Sequence, residues 1–314
     1  MKTALICGVT GQDGVYLVWV TSREAQVSSF ANLDRLGIRL QVQVLSTAQG
    51  DFLSVLDTLS RSDPDEIYFL SGQSSVCLSF KQPAESIDSI ALGALNLLKT
   101  VRLQDRPVRV YHASSSECFG DVSLATGANE MTPFRPRGPY GVAKASAHWL
   151  IAKCREAYGI YSCNDILFNH ESPLRTARFV TRKIVAAACR ITAGSDERLC
   201  HGRLNIIRDW GWTPDFVEAV WRMLQQDAAD DYVIATGESY TLASFVDTAF
   251  AQVKLGWRSH ANIDPTLFPP SEIAHSTGNP EKAMKGLGRK VGVAFPDLIA
   301  NLVRAEQAIL APNC

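Results

Sequence analysis

The apolar run Leu5-Ile6-Cys7 breaks into Gly8-Val9-Thr10-Gly11-Gln12-Asp13-Gly14, a strand-like segment followed at once by three closely spaced glycines. A strand that ends this way brings bare backbone N–H groups against a pyrophosphate, with a helix N-terminus behind it. Here the expected helix is nearly absent. Only Val15, Tyr16 and Leu17 separate the glycines from the next apolar run, Val18-Trp19-Val20. Counted from Gly14, that connection reaches at most about 14 Å, and a parallel crossover takes a dozen or so residues. The expectation is a first crossover helix that is shortened or missing. The strand ahead of Arg23 is then missing too, or displaced, or replaced by helix.

Outward from this start, strand-like and helix-like segments alternate. Thr3–Cys7, Leu40–Leu45, Glu66–Leu70, Val108–His112 and Ser162–Leu167 read as strands, and Phe52–Arg61, Ser86–Leu103 and Gly141–Tyr158 have helical spacing. This order predicts an α/β fold with a doubly wound, Rossmann-like parallel sheet. Residues 1–168 are expected to form a dinucleotide-binding domain. Residues 169–314, less regular and rich in Arg, Pro and Trp, are expected to form a smaller substrate-binding region, with 204–238 as a candidate return to the sheet.

The balance of 31 basic against 32 acidic residues gives no electrostatic case for nucleic acid or a membrane surface as partner. No apolar stretch approaches the roughly 18 residues of a membrane helix, and no leader-like segment precedes the first strand, so a cytoplasmic setting is expected. The eight cysteines contain no CxxC pair and mostly sit in apolar runs. Buried reduced thiols are expected, not disulfides or a metal site.

Tyr140 and Lys144 lie in Gly138-Pro139-Tyr140-Gly141-Val142-Ala143-Lys144, with Pro139 suited to a helix start. A spacing of four puts both side chains on one helical face, and an ammonium beside a phenol is expected to lower the phenol's pKa. Alone, the pattern reads as a solvated pair. After a glycine-rich first strand it reads as an acid/base for a hydroxyl proton. Ser115 and Glu117 come after the strand Val108–His112 and are two apart, so an extended backbone sends both to one side, at the strand's carboxyl end. A serine-rich cap or turn is the plainer reading of that segment.

These residues, with Gly72–Val76, Ser114–Glu117, Ile166–Arg175, Phe179–Ile184, Arg208–Gly211 and Tyr232–Glu238, carry a resemblance that spans nearly the whole chain. The chain resembles the GDP-mannose 4,6-dehydratase family of the extended short-chain dehydrogenase/reductase superfamily. The resemblance implies NADP-dependent dehydration of GDP-mannose to GDP-4-keto-6-deoxymannose, with hydride passing from carbon 4 to carbon 6. It makes Tyr140 the base for the carbon 4 hydroxyl, supported by Lys144. Glu117 takes the carbon 5 proton, and Ser115 stands where threonine is usual.

For the cofactor, the resemblance implies Gly8, Thr10, Gly11, Gln12, Asp13 and Gly14 at the pyrophosphate and Arg23 at the adenosine 2′-phosphate. Asp51 and Phe52 fall at the adenine. Leu70, Gln73 and Ser74 run along the ribose and nicotinamide side, and Lys144, His170 and Arg175 add contacts. Glu24 beside Arg23 would suit a ribose hydroxyl, which leaves NAD open. On the sugar-nucleotide side fall Asn169, Glu171, Val180, Lys183, Arg208 and Glu272, with Trp210 expected in the floor.

The resemblance also implies a homo-oligomer, dimer or tetramer, with Ser28–Arg35 reaching towards a neighbouring subunit. Departures from the family are Pro269 where arginine is frequent, Arg203 for asparagine, and Arg289 for a tryptophan, which a surface position would excuse. They keep two other readings in play: a catalytically impaired nucleotide-sugar-binding relative, or a dehydratase for another GDP-sugar.

Overall fold

The computed structural model describes residues 2–8, 19–268 and 271–311. In chain order it begins with β1 (Ala4–Cys7), β2 (Trp19–Ser22), α1 (Ala31–Arg35), β3 (Gln43–Ser46), α2 (Phe52–Ser62) and β4 (Glu66–Phe69). Then come α3 (Val76–Lys81), α4 (Pro83–Ser86), α5 (Gly93–Gln104), β5 (Arg109–Ala113), α6 (Pro139–Tyr158) and β6 (Ser162–Leu167). The second half adds β7 (Asn169–Glu171), α7 (Val180–Thr192), β8 (Leu199–His201), β9 (Ile207–Arg208), β10 (Trp210–Trp212), α8 (Thr213–Met223) and β11 (Tyr232–Ile234). It closes with β12 (Tyr240–Thr241), α9 (Leu242–Gln252), β13 (Ala261–Ile263), β14 (His275–Ser276), α10 (Glu281–Leu287) and α11 (Phe295–Leu310).

Among the described residues, seven strands form one sheet in the order β3-β2-β1-β4-β5-β6-β11, every neighbouring pair parallel. Alternating side chains feed two cores. Leu5, Ile67 and Val110 pack under α2, α5 and α6, while Ile6, Tyr68 and Tyr111 face α8 and α10 on the other side. That two-sided burial is the doubly wound arrangement expected. The strand order reverses between β1 and β4, the point where such sheets open a crevice at their carboxyl ends.

The second strand corrects the sequence reading. β2 is present, with Trp19 opposite Leu5 of β1 and opposite Gln43 of β3. The expectation counted only the residues beyond Gly14, whereas the return from β1 starts at Gly8. Residues 8–18 can span about 36 Å when extended, against roughly 10 Å for a four-residue strand. The shortened crossover itself, with Thr10, Gly11, Gln12, Asp13 and Gly14, lies outside the described residues.

Two smaller differences have local causes. The strand expected from Leu40 begins only at Gln43, because Arg39–Gln41 is a short 3-10 turn that leaves Leu40 almost fully exposed. The helix expected over Ser86–Leu103 widens into a π turn over Ile87–Leu92 before α5. That turn is held where the Gln73 N–H donates to Ser89 Oγ at 3.1 Å.

The second half is more ordered than its composition suggested. α7, α9 and α11 pack into a core of their own around Phe245, Phe250 and Leu298, with Trp210 buried against Phe245 and Phe295. Two anchors tie this half to the sheet. Arg155 of α6 grips Asp231, just before β11, through bonds of 2.8 and 2.9 Å. Asp209, between β9 and β10, accepts from the backbone of Thr236 and Gly237, at 2.9 Å each, and from the Thr236 hydroxyl at 2.8 Å.

Candidate active site

The carboxyl ends of β1 to β6 open into a cleft of about 1950 Å³, whose far wall is supplied by the second half. Single small-molecule sites usually occupy about 300–1000 Å³. This cleft therefore has room for a dinucleotide and a sugar nucleotide together. Ser115, Glu117, Tyr140 and Lys144 all line it.

Their convergence has a local cause. β5 ends at Ala113, and the chain turns through the 3-10 segment Ser116–Cys118, with Ser115 Oγ capping it by accepting from the Glu117 N–H at 3.2 Å. The expected strand alternation is thus replaced by a capped turn, which still presents both side chains to the cleft. Pro139 starts α6, and Gly141 lets that helix close onto the turn: a Cβ there would lie 2.7 Å from the Glu117 carbonyl oxygen. The approach brings the Tyr140 phenol close enough to Ser115 and Glu117 for both to act on its ionisation.

The charge states differ from the simple lysine–phenol expectation. Burial raises the Tyr140 pKa, with Glu117 and Cys118 adding to the rise and the Ser115 hydrogen bond and Arg175 opposing it. Burial outweighs the lowering expected of Lys144. Its Nζ donates to the Ala113 carbonyl at 2.7 Å and lies 5.9 Å from the Tyr140 ring centroid, and burial pushes its own pKa down to about 8. Glu117 is pushed upward by burial, and Arg208 pulls it back. A carboxyl raised in this way exchanges protons more readily near neutral pH than an exposed one.

At the β1–β4 end, Gly8 adopts φ +92°, and a Cβ there would come within 3.0 Å of the Leu70 carbonyl and the Ser71 nitrogen. Only glycine leaves this backbone bare against the cleft, which fits a pyrophosphate. Arg23 emerges from β2 onto the cleft wall, where it pairs with Glu85 of α4. Asp51, Leu70, Gln73, Ser74, His170 and Arg175 also line the cleft.

Phe52 does not. It opens α2 with its ring turned to Lys99 of α5, whose Nζ lies 4.1 Å from the ring centroid. The α2 N-cap, Asp51, faces the cleft in its stead. Cys77 and Cys200 are exposed on the cleft wall, unlike the buried Cys7, Cys118, Cys163 and Cys189. Among the described residues no His/Cys/Asp/Glu cluster could hold a metal.

On the opposite wall stand Asn169, Val180, Lys183 and Glu272. Glu171 is not among them. It is buried, accepts from the Thr181 hydroxyl at 2.7 Å and pairs with Arg175 Nε at 3.1 Å, so it braces the wall from behind. Arg208 also stands behind the lining and acts through charge, on Glu117, Glu272 and Asp121.

Among the departures, Pro269 lies outside the described residues. Arg289 is not a surface residue: it is buried, donates to the Ala235 carbonyl and lies 5.0 Å from the Phe216 ring centroid. An aliphatic stem and a flat guanidinium can cover an aromatic face much as a ring does, which makes the replacement tolerable. Sequence reasoning missed Glu85 and Arg178. The latter donates to Ser74 at 2.7 Å across the cleft. Neither has a signal in local spacing, because each partner is distant in the chain.

With this geometry in place, the family model for GDP-mannose 4,6 dehydratase matches residues 5–302. The chain belongs to the GDP-mannose 4,6-dehydratase family. Among its relatives, GDP-mannose 4,6 dehydratase 1 of Arabidopsis thaliana is 42% identical, the match covering 96% of this chain and 89% of the relative. The GDP-mannose 4,6-dehydratase of Vibrio cholerae is 36% identical over 97% of this chain and 94% of its own.

Solved structures agree on the fold. The structure of RMD from Pseudomonas aeruginosa complexed with NADPH superposes with TM-score 0.82 at 19% identity, covering 98% of this chain and 100% of the other. The dTDP-glucose 4,6-dehydratase of Bacillus anthracis in complex with NAD gives 0.85 at 15%, covering 98% and 97%. The dehydratase family is thus carried by sequence, and the Rossmann-like architecture by both.

Proposed function

We propose that this chain dehydrates GDP-mannose to GDP-4-keto-6-deoxymannose, with NADP as its resident cofactor. The observation that carries this reading is the meeting of Ser115, Glu117, Tyr140 and Lys144 in one cleft large enough for two nucleotides. Residues 1–168 then form the cofactor half and 169–314 the substrate half. Bound NADP would accept hydride from carbon 4 and return it to carbon 6. Gly8 offers bare backbone to the pyrophosphate, and Arg23 offers a fork to the 2′-phosphate.

Tyr140 exchanges a proton with the carbon 4 hydroxyl, and the neighbouring Ser115 hydroxyl favours the ionised phenol. Ser115 also faces the oxygen of the ketone that forms at carbon 4. The ketone acidifies carbon 5, whose proton Glu117 takes. The electron pair left at carbon 5 expels the carbon 6 hydroxyl, which leaves as water on receiving a proton from Glu117. When hydride arrives at carbon 6, carbon 5 takes up a proton in its turn, which balances the one released from the carbon 4 hydroxyl. Lys144, fixed on Ala113, supplies positive charge beside the phenol.

The exposed Val142 and Trp149, seven residues apart on one side of α6, offer an apolar contact for a homo-oligomer, which sedimentation would measure. Among the described residues no helix is long and apolar enough to cross a membrane. A cytoplasmic setting, where thiols such as Cys118 stay reduced, suits this nucleotide-sugar chemistry.

The test is conversion of GDP-mannose to a product lighter by one water, followed by mass spectrometry. Tyr140→Phe should lower kcat by about 10²-fold or more with no absorbance at 340 nm. Glu117→Gln should stall after oxidation and accumulate that absorbance. Equal loss of the 340 nm signal in both variants contradicts this division of roles.

A further inference from the structure

We infer that Arg203 grips the diphosphate of the sugar nucleotide, an inference that rests on the substrate reading above. The segment Leu199–Arg203 forms one wall of the cleft together with Leu267 and Glu272. Gly202 lets the two parts of this wall meet closely, since a Cβ there would lie 3.3 Å from both the Leu267 carbonyl oxygen and Phe268 Cδ1. Arg203 is held on two sides as a result. Its Nε lies 3.5 Å from the Glu272 carboxylate, and its guanidinium carbon lies 5.4 Å from the Phe268 ring centroid. Among the described residues its two terminal nitrogens have no hydrogen-bond partner, and the side chain is 59% exposed. One edge is anchored and the fork is free.

The other cations on this wall are mostly committed. Arg175 pairs with Glu171 and donates to the His170 carbonyl, and Arg178 donates to Ser74. Lys183 also lines this side and, among the described residues, makes no such bond. The sequence from Leu267 to Glu272 contains no cationic residue. Glu272 is answered by both Arg203 and Arg208, so its single negative charge leaves the wall net positive. A diphosphate presents paired oxygens that a guanidinium fork meets bidentately, which an ammonium such as Lys183 cannot do. Lys183 and Arg203 together suit such a group; Arg203 supplies the directional part.

The experiment titrates wild type, Arg203→Ala and Arg203→Lys with GDP and with guanosine by calorimetry, and measures steady-state kinetics with GDP-mannose. Arg203→Ala should weaken GDP by about tenfold and leave guanosine within twofold. The KM for GDP-mannose should rise by a similar factor while kcat stays within about twofold. Arg203→Lys should recover part of the loss, and raised salt should narrow the gap between wild type and Arg203→Ala. Arg203→Gln, closer in shape, replaces the alanine variant if that one unfolds. GDP affinity unchanged in the variants overturns the inference, and so does equal weakening of GDP and guanosine. A folded wild type that neither binds GDP nor converts GDP-mannose overturns the substrate reading itself, and this inference falls with it.

Discussion

Arg23 and Glu85 show how one ion pair bears on cofactor choice. The guanidinium that would meet a 2′-phosphate is already engaged by a carboxylate on α4, in a pair exposed to solvent on both sides. Such a pair is worth about 0–1 kcal/mol, so a phosphate displaces the carboxylate at modest cost. Glu85→Gln should therefore tighten NADP by up to about fivefold and leave NAD unchanged, as read by fluorescence titration. If both cofactors respond alike, Arg23 does not reach the phosphate. The same neighbour logic explains Tyr140. Its spacing to Lys144 was legible in the chain, yet the lysine bonds the Ala113 carbonyl and burial dominates the phenol. Which partner a side chain takes depends on residues remote in sequence, and spacing cannot report that.

At the scale of elements, the second half of the chain rests on the packing of α7 against α11. Arg182 of α7 and Glu306 of α11 form an ion pair with side chains only 12% and 7% exposed. Removing one partner strands a buried charge, at a cost of about 3–5 kcal/mol. Glu306→Ala should lower the urea midpoint accordingly, and Arg182→Met with Glu306→Leu should restore much of it. A midpoint unmoved by Glu306→Ala would show that the pair is solvated. Because α7 carries Val180 and Lys183 on the cleft wall, loosening this contact should raise the KM for the sugar nucleotide as well. β2 teaches the complementary lesson. Its apolar run was visible in the chain, and only the count of residues available for the return leg misled.

For the whole molecule, the buried ammonium of Lys144 links stability to pH. Its native pKa is lowered to about 8 from an ordinary value near 10.5. Below pH 8 both states hold the proton, and the folded state bears the full cost of the buried charge. Between about 8 and 10.5 the native state releases its proton first. Stability from this group therefore rises with pH, by on the order of 3 kcal/mol in total. Lys144→Met lacks this cost, so its unfolding free energy relative to wild type should fall as pH rises from 7.5 to about 9.5. A pH-independent difference between the two proteins would show that Lys144 titrates normally.

The chain by itself determined the alternation of strands and helices, the glycine bend after β1 and the motif residues that bring a Ser, a Glu, a Tyr and a Lys to one strand end and one helix start. These depend on local propensity, periodicity and turn chemistry, which neighbouring residues settle among themselves. Only the tertiary structure decided that Phe52 faces α5, that Glu171 braces the wall from behind, that Arg289 is buried over Phe216 and that Arg203 lies beside Glu272 on the cleft wall. Each of those outcomes turns on which distant side chain comes to lie opposite once the sheet and the α7–α9–α11 core have closed. Burial and pairing are properties of the assembled fold.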